Sequence, residues 1–215
     1  MLNQTDLHMW DEIGRAAAKG DLFAYFGYGS LVNRATHRTR ILGAAKASVR
    51  GWRRHWQARP DPSEEGLSFL SVKPDVEAGH DLPGLLVFDH IENLDALDRR
   101  ELGYDRRVVA RNAIVFSGDF EFDGPVFIYE ARPPARRDAH HSILQSYLDA
   151  VLQGYLREYG EDHVRRFILE THAFDTPVIQ DRHVPRYTRH VLLEAEERAF
   201  IDSMLREHGV SQVEA

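Results

Sequence analysis

Apolar residues along this chain change their period partway through. Between Leu22 and Tyr129 they come as short runs that read as strands: Leu22–Phe26, Leu67–Val72, Gly84–Phe88, Arg107–Phe116 and Val126–Tyr129. Ala44–Ala58 is strand material broken by Gly51, with Val49, Trp52 and Trp56 as its bulky positions. From Ser142 to Tyr159 the spacing lengthens. Ile143, Leu144, Tyr147, Leu148, Val151, Leu152, Tyr155 and Leu156 form the i, i+4, i+8 stripe of an amphipathic helix. Further helices are predicted over Thr5–Lys19, from Asp89 or Asn93 to Glu101, around Val164–Ile168 and over Glu194–His208. A short helix opens the Leu31–Ile41 segment. Arg59–Gly66 and Pro74–Pro83 read as loops by their turn residues, and Thr176–Pro185 as irregular chain.

Strands first and helices afterwards indicate α+β, not alternating βαβ units. The composition shifts at Ala131-Arg132-Pro133-Pro134. The expectation is one domain over residues 1–215, with a barrel-like core at about 22–131 and a helical cover at about 138–208.

Charge and cysteine usage narrow the function. The formal net charge is −7, which argues against nucleic acid as a partner, since phosphate neutralisation needs a basic face. With Cys 0, thiolate catalysis, disulfides and cysteine-ligated metals are excluded. No run approaches the ~20 apolar residues of a membrane span. The expectation is a soluble, cytoplasmic protein with no membrane partner. The 12 histidines show no metal-ligand spacing, so no metal is expected. In Gly51-Trp52-Arg53-Arg54-His55-Trp56, alternation predicts packed tryptophans and solvated arginines.

Two local features carry candidate chemistry. The first is Phe26-Gly27-Tyr28-Gly29-Ser30-Leu31 at a strand end. It lacks the third glycine of a dinucleotide fingerprint, because Val32 stands there. It also lacks the G-x-S-x-G order of a nucleophile elbow. Either Gly27 or Gly29 adopts positive φ in a tight turn with Ser30 capping a following helix, or the turn's N–H groups cradle an anion or oxyanion. The second is Glu101, placed in the last turn of its helix. There the negative end of the macrodipole disfavours a carboxylate by about 0.3–1 kcal/mol and raises its pKa. That suits general acid–base work. A surface pair with Arg99 or Arg100 is the plain alternative.

Together these residues resemble the γ-glutamylcyclotransferase superfamily, of AIG2-like and ChaC-like proteins. Tyr28-Gly29-Ser30-Leu31 ends a first strand, and Leu97-Asp98-Arg99-Arg100-Glu101 with Gly103-Tyr104 follows some seventy residues later. The resemblance spans roughly Leu22–Tyr129. It implies a small mixed β-barrel with surrounding helices, here carrying a C-terminal helical extension. It implies release of 5-oxoproline from a γ-glutamyl amide small molecule, such as glutathione, a peptide or an amine, with no cofactor. Carried over residue by residue, Tyr28, Gly29, Ser30 and Leu31 are the substrate-cradling loop and Glu101 is the catalytic acid–base. Tyr104 and Tyr129 are further substrate-binding positions. A non-catalytic binding or regulatory module on the same fold is the alternative. The Asp181–Tyr187 loop either folds over the pocket or ties down the last helix.

Overall fold

A computed structural model describes residues 4–37, 40–59, 66–77, 81–116, 122–134 and 140–214. Helix α1 (Gln4–Ala18) leads into β1 (Phe23–Gly27), and two 3-10 turns follow, Ser30–Val32 and Arg34–Thr36, where a short helix is predicted. Then come β2 (Gly43–Val49), β3 (Trp52–Ala58), β4 (Ser68–Pro74) and β5 (Leu82–Asp89). Helix α2 (Leu94–Arg100), β6 (Tyr104–Val108), β7 (Ile114–Phe116) and β8 (Val126–Ala131) complete the first part. The second part is β9 (Ile143–Leu144), α3 (Gln145–Tyr159), α4 (Glu161–Glu170), β10 (Val178–Gln180), α5 (Ala195–Glu207) and β11 (Gln212–Glu214). Most of the expected loop at Arg59–Gly66 lies outside the described residues.

The arrangement is α+β. A six-stranded mixed sheet runs β6-β8-β1-β5-β2-β7, with β3–β4 as an antiparallel hairpin and β11-β10-β9 as a small parallel sheet. β1 and β5 are buried along their whole length, so both faces are covered, and both are mostly apolar. The hairpin folds back onto the sheet, where the Ala131 N–H of β8 donates to Ser71 Oγ of β4 at 2.9 Å. Buried apolar residues of the sheet, the hairpin and the later helices form one contiguous cluster.

Several expectations are corrected. Arg107–Phe116 is not one strand, because β6 pairs with β8 at one sheet edge and β7 with β2 at the other, and the chain must turn at Arg111–Ala113 to reach both. The long helix starts at Gln145, not Ser142. Leu144 is extended, and the Ser146 N–H and hydroxyl both donate to Asp181, at 2.7 and 2.6 Å. Val178–Gln180 is a strand, paired on both sides, not irregular chain. Arg54 is not solvated: only 1% of it is exposed, because its strand face is shared with Trp56 and Ala58.

A buried guanidinium needs partners. Arg54 Nη1 donates to Tyr155 Oη at 2.6 Å, and its plane lies 4.4 Å from the Phe167 ring centroid. The Tyr155 hydroxyl faces the carbonyls of Tyr28 and Pro83, each at 2.8 Å. Tyr155→Phe leaves the Arg54 donor and two buried carbonyls without this partner. The expected cost is about 1–3 kcal/mol, read as a lower urea midpoint at unchanged slope, with far-ultraviolet dichroism of the folded state retained.

Candidate active site

β1 ends at Gly27 under α3, and the chain has no room for a side chain there. A Cβ on Gly27 would stand 2.7 Å from Leu31 Cβ, and one on Gly84, next to its β5 partner Leu85, 2.2 Å from the Gly27 carbonyl oxygen. Neither Gly27 nor Gly29 has positive φ, so close packing, not a left-handed turn, accounts for glycine at 27. Gly29 faces inward with Leu70 Cδ2 and Tyr147 Oη at 3.2 and 3.5 Å from its would-be Cβ. Both ends of Tyr28 are fixed. Its carbonyl takes the Tyr155 hydroxyl, and its own hydroxyl donates to the Tyr129 carbonyl at 2.5 Å.

Ser30 does not cap a helix. The 3-10 turn is preceded by Gly29, and Ser30 Oγ instead accepts the Tyr187 hydroxyl at 2.9 Å. The first N–H satisfied inside the turn is that of Val32, by the Gly29 carbonyl at 3.0 Å. The N–H groups of Gly29, Ser30 and Leu31 have no hydrogen-bond partner among the described residues. α3 holds the far side of the turn. Asn33 Nδ2 donates to the Ala150 carbonyl and Gln153 Oε1, both at 2.9 Å, and a Cβ on Gly154 would meet Asn33 N at 2.6 Å.

A cavity of about 110 Å³ opens over this turn. At roughly 30 Å³ per water it holds the space of a few waters, the scale of a small polar head group. Tyr28, Gly29, Ser30, Leu31, Glu101, Tyr104 and Tyr129 all line it, so the residues singled out from sequence converge on one place. Tyr104 donates to the Leu70 carbonyl at 2.8 Å, with its ring edge-on to Phe69. Tyr129 donates to Asp98 Oδ1 at 2.6 Å.

Glu101 terminates α2 as its C-cap, and Gly103, at φ +95°, lets the chain leave toward Tyr104. Its side chain is 11% exposed and that of Arg100 13%, with Arg100 Nε 3.1 Å from Glu101 Oε1. Arg100 Nε and Nη2 make no bond of hydrogen-bond geometry among the described residues. The Glu101 pKa is raised, as the sequence reading expects, but for a different first reason. Burial raises it, and the charges of Arg100 and then Arg189 pull it partly back.

Burial also raises the phenols of Tyr28, Tyr104 and Tyr147, which stay protonated at neutral pH. Among the described residues no histidine lines the cavity, and Ser30 Oγ is engaged by the Tyr187 hydroxyl. Glu101 is the one carboxyl group among the described lining residues, and its pKa is raised. Among the described residues no cluster of His, Asp and Glu is placed to hold a metal, and no helix is long and apolar enough to cross a membrane.

Other lining residues were not singled out from sequence: Arg59, Arg100, Tyr147, Tyr187 and Arg189. Tyr147 sits inside the apolar stripe of α3 and reads as core. Arg100 reads as the surface partner of Glu101. Tyr187 and Arg189 arrive from the segment after β10, and the charged, proline-containing run there is their one signal. The Asp181–Tyr187 segment does both: Tyr187 lines the pocket, and Arg182 Nη1 lies 2.7 Å from Asp202 Oδ1 of α5.

No family model and no curated protein matches the sequence. Among solved structures, the chain is similar to one described as a gamma-glutamyl cyclotransferase, with a TM-score of 0.50 and 16% identity over 85% of this chain and 99% of that one. It is also similar to the uncharacterized protein loc79017 from Homo sapiens, with a TM-score of 0.48 and 16% identity over 85% and 99% of the two chains. A yeast gamma-glutamyl cyclotransferase specific to glutathione has a TM-score of 0.40 and 12% identity over 87% and 97%. The first of these establishes the γ-glutamylcyclotransferase fold for this chain.

The electrostatics give a direct test. Carbon-13 NMR of the labelled Glu101 carboxyl should show titration above the ordinary glutamate value of about 4.3. Arg100→Gln removes a charge that favours the carboxylate, so the midpoint should move further up. A midpoint that falls in that variant contradicts the assignment.

Proposed function

We propose that this protein is a γ-glutamylcyclotransferase-like enzyme that releases 5-oxoproline from a γ-glutamyl amide. The observation that carries the proposal is the position of Glu101. A buried carboxyl group of raised pKa shares a small cavity with the Tyr28–Leu31 turn, where the N–H groups of Gly29, Ser30 and Leu31 have no partner among the described residues.

The reaction is an intramolecular amide exchange. The substrate's neutral α-amine attacks its own γ-carbonyl carbon, and a five-membered ring closes as the new N–C bond forms. Glu101 as carboxylate removes the ammonium proton from the ring nitrogen. The same proton then passes to the departing nitrogen as the old C–N bond breaks. Atoms and charge balance without a cofactor or a protein nucleophile, in keeping with a chain that has Cys 0.

Charge builds on the carbonyl oxygen during attack. The N–H groups of Gly29, Ser30 and Leu31 are the donors suited to it, being held in place before the substrate arrives. Glycine at 29 lets the substrate approach the main chain. The tight walls of Tyr28, Tyr104 and Tyr147 favour a curled glutamyl chain, and ring closure depends on that orientation. Ser30 serves as a hydrogen-bonding wall residue tied to Tyr187. A binding module without turnover would have no use for a buried group that exchanges protons.

Incubation with γ-glutamyl dipeptides and γ-glutamyl amines should release 5-oxoproline, detected by mass spectrometry. Glu101→Gln, which keeps the shape and removes proton transfer, should lower kcat about 10²–10⁴-fold. A variant as fast as the native protein sinks the mechanism. The pH profile supplies a second check. Glu101 must be ionised in the free enzyme, so kcat/KM should fall as pH drops through its raised pKa. The acid limb should therefore lie above about 4.3, the unperturbed glutamate value.

A further inference from the structure

The leaving amine is open in the reading above, and the charge of the cavity speaks to it. Arg59 aside, its described lining carries Arg100 and Arg189 against a single carboxyl group, Glu101. This is a positive site in a chain of net charge −7. The γ-glutamyl head, with one α-ammonium and one α-carboxylate, is neutral overall near pH 7. It does not consume the excess, so the excess addresses the remainder of the substrate.

The arginines differ in what they have left to give. Arg100 lies against Glu101. Arg59 is over the Phe69 ring, with its centre 5.5 Å from the centroid, and has other contacts, so nothing is built on it. Arg189 is half-buried and forms no ion pair among the described residues. Its Nε donates to Tyr187 Oη at 3.1 Å, and its guanidinium lies 5.4 Å from that ring's centroid. Neither terminal nitrogen has a hydrogen-bond partner among the described residues.

The position of Arg189 is built, not incidental. The Tyr187 hydroxyl that accepts from it donates to Ser30 Oγ, on the turn itself. The Tyr187 N–H donates to Ser146 Oγ at 3.2 Å, and the Arg186 N–H to Asp181 Oδ2 at 2.9 Å. A planar fork held in one place is the chemistry that recognises a carboxylate through paired hydrogen bonds.

We propose that Arg189 is a specificity-determining residue that receives a carboxylate on the leaving amine, so that the substrates are γ-glutamyl amino acids and peptides in preference to γ-glutamyl derivatives of uncharged or cationic amines. This rests on the cyclotransferase reading, and the experiment separates the two.

γ-Glutamyl-alanine and γ-glutamyl-alaninamide differ in one charged group and almost nothing in shape. Native protein should show a kcat/KM roughly tenfold or more higher for the first. Arg189→Gln should bring that ratio toward one, and Arg189→Lys should retain part of it. Equal native rates overturn the proposal while leaving the cyclotransferase intact. So does an Arg189→Gln variant that slows both substrates by the same factor, since that marks a structural role. Binding read by calorimetry in the Glu101→Gln background does not depend on turnover. Tighter binding of γ-glutamyl-alanine than of the amide, lost in Glu101→Gln with Arg189→Gln, supports Arg189 even where 5-oxoproline is not formed. Neither binding nor turnover overturns both.

Discussion

The hydroxyl of Tyr155 is the point on which the rest of the molecule depends. It receives a hydrogen bond from Arg54 of the hairpin and faces carbonyls at the end of β1 and the start of β5. One atom of α3 thus joins the elements that surround the cavity. Burying an arginine in an apolar core carries a large desolvation cost unless its donors and charge are met. Tyr155 and the face of Phe167 meet part of that need. The arrangement fixes the height of α3 over the sheet, and with it the carbonyl of Tyr28. One turn further along the same helix, Tyr159 repeats the device by reaching the carbonyls of Gly84 and Ala47.

With α3 held, the glycines acquire their meaning. Gly27, Gly84 and Gly154 each stand where a Cβ would strike backbone or a packed side chain. They allow strand, turn and helix to approach more closely than side chains permit. The turn of Ser30–Val32 is clamped between β1 and α3, and the N–H groups of Gly29, Ser30 and Leu31 have no partner among the described residues. Rigidity of this kind is what a site needs if it is to stabilise developing charge without reorganising.

Burial and charge oppose each other around Glu101. The low-dielectric wall of tyrosines raises its pKa, and Arg100 and Arg189 draw it partly back. The pKa of the carboxyl group is thereby raised, but by less than burial alone would raise it. The same arginines give the cavity its positive excess. Asp181 stands behind this through a local contact, since it caps the start of α3 and holds the chain that brings Tyr187 and Arg189 inward.

The sequence by itself determined the elements whose neighbours are close along the chain. The apolar run of β1, the i, i+4 stripe of α3 and the stop at Gly103 follow from local period and backbone chemistry, and each is present. The glycine turn and Glu101 stood out because each breaks a local rule, and they meet in one cavity with Tyr104 and Tyr129. Tertiary structure decided what depends on partners far away. Arg54 reads as solvated by strand alternation, yet its partner lies 101 residues on, in a helix that covers that face. The run from Arg107 to Phe116 reads as one strand, yet its halves pair at opposite sheet edges. Tyr187 reaches Ser30 across 157 residues, and no periodicity encodes such a contact. Even the pKa of Glu101 had its direction legible locally and its main cause elsewhere. A helix end is visible in sequence, whereas desolvation is set by whatever packs above it.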